Sequence, residues 1–140
     1  MAGRKQASED AQAKYLADVA LAAIFDDLLA AARAAEQEFR TAQATGEPLA
    51  VQYPLAKRLD AALTDVMRSA FAAMRAEIGP RGYDDRIFRR KAMAKPKVHA
   101  LHVEAERLLT LREAHRLTGI PPRPENIGRV PEPLAARGLH

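Results

Sequence analysis

Between Gly3 and Gly46 the chain has no glycine and no proline, and this uninterrupted stretch restricts the fold more than any other feature. Ser8 is a good helix cap, and Glu9 and Asp10 behind it suit the positive end of a helix dipole. Downstream, Leu21, Phe25, Leu28, Ala32, Ala35, Phe39 and Ala42 recur in alternating steps of four and three. That period places them in one stripe along a helix, the pattern of a long packed hairpin or a coiled-coil-like seam. Gly46 and Pro48 end it. A helix unbroken from Ser8 to Thr45 would be about 55 Å long at about 1.5 Å per residue.

A second helix is expected from near Pro54, a favourable first-turn residue, to Ile78, with Leu59, Leu63, Val66, Met67, Ala70, Met74 and Ile78 on its apolar side. Gly79 and Pro80 close it. A short helix follows over Asp85 to Ala94, with Asp84 as its expected cap and Pro96 as its break. A last helix runs from about Lys97 to Thr118, carrying Val98, Leu101, Ala105, Leu108 and Leu111, and Gly119 stops it. No strand-like alternation and no internal repeat is present. The expected fold is all-α: three main helices and a short basic helix in a bundle over residues 1–119, then a Pro-rich tail over 120–140.

Alanine fills 30 of the 140 positions. It favours helix but buries little area, so such a core is thin and suits a chain that leans on neighbouring subunits. There is no cysteine, which rules out a disulfide framework or a thiolate zinc site and suits a reducing cytoplasm. The polar start, MAGRKQASED, lacks the apolar segment of a secretory signal. No apolar run approaches the roughly 20 residues that cross a bilayer. A cytoplasmic protein that does not engage a membrane is expected.

In the tail, Pro121, Pro122, Pro124, Pro131 and Pro133 forbid regular helix. An extended segment of this kind reaches roughly 60 Å at about 3.1 Å per residue. It reads either as a disordered end or as an arm along a neighbouring subunit, for which Ile120, Ile127, Val130 and Leu134 supply apolar anchors.

Charge is distributed very unevenly. Residues 81–97, RGYDDRIFRRKAMAKPK, hold seven Lys or Arg and two acids, +5, whereas the remainder holds 15 basic and 16 acidic residues, −1. Arg81, Arg86, Arg89, Arg90, Lys91, Lys95 and Lys97 are interleaved with Tyr83 and Phe88. On a short helix Arg86, Arg89 and Arg90 share a side. Clustered cations neutralise backbone phosphates and release condensed counterions, and arginine adds a forked grip. Phe88 or Tyr83 can stack on an unpaired base, or Phe88 can pin the helix to the bundle. The competing reading is a solvated basic loop paired with acidic faces such as Asp60, Asp65 and Glu77.

Other candidates are weaker. His99, His102 and Glu106 fall within about 60° of one another on one helix face and make a partial ligand set for a divalent ion. A His102–Glu106 contact is the alternative, and no metal or other cofactor is expected. Arg68 and Arg75, with Lys57 and Arg58, either extend the basic surface or are ordinary solvated positions. Asp26 and Asp27 are adjacent, diverge by about 100° on a helix and need not share a site. Neither serine, Ser8 or Ser69, sits in a nucleophile motif, and no phosphate-binding glycine loop occurs. The chain is not expected to be an enzyme.

With its stripes from Leu21 to Ala42 and from Leu59 to Ile78 and its basic set from Arg81 to Lys97, the chain resembles the small α-helical subunits of CRISPR ribonucleoprotein effector complexes. The likeness spans roughly residues 8–118 and rests on size, class and charge. It implies a non-catalytic protein that stacks in several copies and touches guide and target nucleic acid through backbone charge. The rival readings are a phage packaging or virion assembly protein and a helical adaptor that binds protein alone. The expected partners are therefore nucleic acid, RNA or single-stranded or hybrid DNA, held at its backbone, together with other protein subunits and copies of the chain itself.

Overall fold

In the computed structural model, which describes residues 7–126, the chain is all-α. Among the described residues there are five α-helices and no strand. The first, α1 (Glu9–Ala23), starts where expected: the Ser8 hydroxyl accepts the Ala11 N–H at 3.0 Å. It does not continue to Thr45. The backbone breaks at Ile24 (φ −100°, ψ 14°), and α2 (Phe25–Ala44) follows.

The cause of the break lies far away in sequence. The Leu21 carbonyl meets the Ile24 N–H at a long 3.4 Å and the Ser69 hydroxyl at 2.8 Å. Ser69 is fully buried, so its hydroxyl needs an acceptor, and a carbonyl released at a kink is one. Both sides of the kink still face the same neighbour, because Leu21, Phe25 and Leu28 stay half-buried while Ala32, Ala35, Phe39 and Ala42 are buried. Replacing Ser69 with Ala leaves that carbonyl without its short bond. The expected loss is about 1–2 kcal/mol, read by denaturant unfolding; unchanged stability would mean that the kink is held by something else.

A six-residue hydrogen-bonded reversal ends α2. Gly46 (φ 68°) donates its N–H to Gln43 O at 3.1 Å, and Glu47 donates to Ala42 O at 3.0 Å. This is the Schellman pattern, which demands a residue tolerant of positive φ. The central helix α3 (Leu49–Ile78) then begins five residues before the expected Pro54, which lies inside it. The missing proline N–H deprives Ala50 O of its partner, but Ala50 is exposed and water can take that place.

Gly79, at φ 101°, turns the chain out of α3 into a 3-10 turn, Pro80–Tyr83. The basic helix α4 (Arg86–Ala92) is capped by Asp85, whose side chain accepts the Phe88 N–H at 2.9 Å. The cap is thus Asp85 and not Asp84, and the helix is shorter than expected. Asp84 is engaged elsewhere: its carboxylate accepts the Ser8 N–H at 2.7 Å and the Ser8 hydroxyl at 3.1 Å. Pro96 opens α5 (Pro96–Ala114) as its first residue. The expected last turn of that helix widens into a π turn, His115–Gly119. Gly119 suits that turn, since a Cβ there would run into the His115 ring.

The three longest helices, α2, α3 and α5, enclose the main core. Ala32, Ala35 and Phe39 meet Ala56, Leu59, Leu63, Val66 and Ala70, and α5 adds Ala105 and Leu108. Leu111, expected in this stripe, is instead 44 % exposed at the rim. A second small cluster of Ile78, Ala92 and Val98, flanked by Met74, Phe88 and Met93, fastens α4 to the ends of α3 and α5. Packing continues past Gly119, because Ile120 sits against the main core and Arg123 Nε donates to the Tyr53 hydroxyl at 3.3 Å. The rest of the expected tail, 127–140, lies outside the described residues.

Candidate nucleic-acid interface

Short helices are marginal alone, so α4 depends on its cap and on its apolar underside. Asp85 supplies the cap, and its own carboxyl is held below the usual range, first by the Phe88 N–H and then by Arg81. Ala92 is buried and Phe88 half-buried beneath the helix. Phe88 is therefore the pin and not a free stacking platform, and the Arg81 guanidinium covers its ring at 4.6 Å from the centroid. Tyr83 is also committed, its hydroxyl donating to the Asp18 carboxylate.

The seven expected cations behave differently from one another. Arg81 pairs with Asp85 at 3.2 Å, and Lys97 pairs with Glu77 at 3.1 Å while staying 76 % exposed. Arg89 donates from Nη1 to Gly82 O at 2.9 Å, which ties α4 back to the preceding turn. Arg86, Arg90, Lys91 and Lys95 are exposed and form no ion pair among the described residues. Arg86, Arg89 and Arg90 border one shallow depression of about 360 Å³ with Met74 and Met93. Their expected grouping on one side of the helix is thus present in three dimensions. Of the acidic faces weighed against them, Glu77 takes Lys97, Asp60 takes Arg116 at 2.6 Å, and Asp65 stays exposed. The Lys97–Glu77 pair is exposed on the lysine side, and a water-screened pair of that kind exchanges readily for a phosphate.

The remaining arginines of α3 do not build one continuous surface. Arg58 pairs with Glu38 at 3.0 Å, while Lys57 and Arg68 are exposed. Arg75 grips Asp18 through two bonds, Nε to Oδ2 at 2.8 Å and Nη2 to Oδ1 at 3.1 Å. Burial works to raise the Asp18 carboxyl, but the hydrogen bonds from Arg75 and Tyr83 outweigh it and hold it below its ordinary 3.8. Burial and the bond to Asp18 push the Tyr83 phenol well above its usual range, so it stays neutral. A carboxyl lowered by folding stabilises the fold above its unfolded value, and this contribution is lost as pH falls through the folded value. Between about pH 5 and pH 3 the wild type should therefore lose more thermal stability than Asp18→Asn, measured by circular dichroism melts. Equal losses would show that the Asp18 cluster does not couple to acid unfolding.

His102 and Glu106 do share a face, with Nε2 and Oε1 3.7 Å apart, and His102 Nδ1 lies 3.3 Å from the Met74 sulfur. His99 is exposed, and among the described residues no three His, Cys, Asp or Glu side chains gather closely enough to hold a metal. Asp26 and Asp27 are exposed in the first turn of α2, where they complement the helix dipole. Among the described residues no helix is long and apolar enough to cross a membrane.

Sequence reasoning missed the Asp18–Arg75–Tyr83 cluster. The one local signal was an aspartate inside the otherwise uncharged run from Tyr15 to Phe25. No protein-family model, curated protein or solved structure matches the chain.

Proposed function

We propose that the chain is a non-catalytic helical subunit of a multi-subunit nucleoprotein complex in the cytoplasm, and that it grips nucleic acid by the phosphate backbone without reading sequence. The observation that carries this reading is the state of α4. Arg86, Arg90, Lys91 and Lys95 are exposed without acidic partners among the described residues, on a segment fixed to the bundle by its cap and its apolar underside. Cations held in place on a rigid support suit a polyanion better than a single acidic side chain. The likeness to small subunits of CRISPR effector complexes suggests the kind of assembly, with a phage packaging or virion protein as the rival.

The test is a salt titration of binding to labelled single strands and duplexes of several sequences. Each neutralised phosphate contributes about −0.7 to the log–log slope on single strands and about −0.9 on duplex. A slope of about −2 or steeper, the same for every sequence, supports the proposal. A flat response, or strong binding to one sequence alone, overturns it. Reading the chain as a protein-only adaptor has one observation in its favour, the exposure of Leu16, Val19 and Ile24 along the outer side of α1 and its end. Within the proposed complex that apolar side serves a protein neighbour, another subunit or a second copy.

A further inference from the structure

Beside α4, where α1, α3 and the 3-10 turn meet, lies a small concavity of about 100 Å³ lined by Lys14, Arg75, Ile78, Gly82, Tyr83 and Arg89. Three of these six residues are cations, from three different elements, and no carboxylate is among them. The acids that pair with Arg75 and Lys14 are already engaged. Asp18 is bound by two arginine donors and the Tyr83 hydroxyl, and Asp10 pairs with Lys14 at 3.1 Å in an exposed contact that water screens.

The cations keep donors to spare. Arg75 uses Nε and Nη2 on Asp18, and Arg89 uses Nη1 on Gly82 O. Among the described residues Arg75 Nη1 and Arg89 Nε and Nη2 make no hydrogen bond. Lys14 is free to turn, since its pair lies 61 % exposed on the lysine side. The floor of the concavity is fixed by close packing: a Cβ on Gly82 would come within 2.5 Å of Ile78 Cγ2. That approach brings the Gly82 carbonyl to Arg89, and Arg89 borders both this concavity and the shallow depression on α4.

We infer that this pocket is a subsite for one phosphate group, either the terminal phosphate of a strand lying on α4 or a free phosphate ion. For the strand terminus the inference rests on the proposed function. A tetrahedral oxyanion offers several acceptor oxygens to donors arriving from three sides, and forked guanidinium groups match it. A backbone phosphodiester, with two of its oxygens substituted, satisfies fewer of them. The pocket therefore favours a monoester or the free ion.

The experiment compares one oligonucleotide with a 5′-phosphate, a 3′-phosphate or neither, on the wild-type chain and on Lys14→Ala. Inorganic phosphate is titrated separately while the amide resonances of Gly82 and Tyr83 are followed. Tighter binding of one phosphorylated form by about fivefold or more, lost in Lys14→Ala while the unphosphorylated strand binds as before, supports the strand-end site. No preference among strands, with inorganic phosphate shifting both amides in the wild type and not in Lys14→Ala, assigns the pocket to the free ion. No preference and no shift overturns the subsite, while salt-dependent binding of all three strands would leave the backbone grip standing. If no strand binds, the backbone grip fails and the phosphate titration alone decides the pocket: a Lys14-dependent shift upholds it, and no shift refutes it.

Discussion

Replacing Arg86, Arg90 and Lys91 together with Ala will flatten the salt dependence of nucleic-acid binding by about two units on single strands and slightly more on duplex. Affinity should fall at least about tenfold at moderate salt, for every sequence alike, because in the proposed grip these groups neutralise phosphates and read no base edge. The triple variant is a clean test because all three side chains are exposed and make no internal ion pair among the described residues. Its melting temperature should match that of the wild type. Arg89 is left in place, since its bond to Gly82 O at 2.9 Å gives it a structural part as well. An unchanged slope would remove α4 from the interface, and a loss confined to one sequence would mean base readout instead of a backbone grip.

The largest effect on stability is expected from Leu108→Ala. Leu108 is 2 % exposed and is the largest fully buried side chain, reaching from α5 into a core whose other members include Ala32, Ala35, Ala56, Ala70 and Ala105. Alanine methyls have no rotamer that can swing into a void, so the cavity should stay open and the cost should be about 3–4 kcal/mol. For a domain of this size that lowers Tm by roughly 10 °C. Leu117→Ala is the control: that residue is 81 % exposed, and its loss should cost less than about 0.5 kcal/mol. If the two variants melt together, the main core is not where α2, α3 and α5 meet.

What the sequence revealed, and what it concealed, follows from the range of the forces involved. The stripes from Leu21 to Ala42 and from Leu59 to Ile78 are local periodicities, and they lie on the inner faces of the helices. Ser8 as a cap was legible for the same reason. The break at Ile24 was not, because it is stabilised by the bond from Ser69 to Leu21 O, 48 residues apart, and no glycine or proline near Ile24 marks it. The shift of the cap from Asp84 to Asp85 has the same origin, since Asp84 is taken by Ser8, 76 residues distant. Pro54 misled in the opposite sense: a strong local signal for a helix start was overridden by packing, and α3 begins at Leu49.

The candidate site divides along the same line. Arg86, Arg89 and Arg90 could be grouped from a helical wheel, and they border one depression. Glu77 was among the acids weighed as partners and it takes Lys97, but which cation it would take, and that Arg89 would bond Gly82 O, is set by tertiary contacts. The pocket beside α4 was invisible for a stronger reason. Lys14, Arg75 and Arg89 are scattered over the chain and converge only after α1 docks on α3.

The bonds from Ser8 to Asp84 and from Tyr83 to Asp18 make the amino-terminal rod a splint for the turn that leads into the cationic segment. Anything that prises that rod away, a competing helix or a protease cut near Ile24, would unlatch the turn and slacken the proposed hold on a strand. Removing a piece that lies outside the cationic segment would thus be felt along that segment.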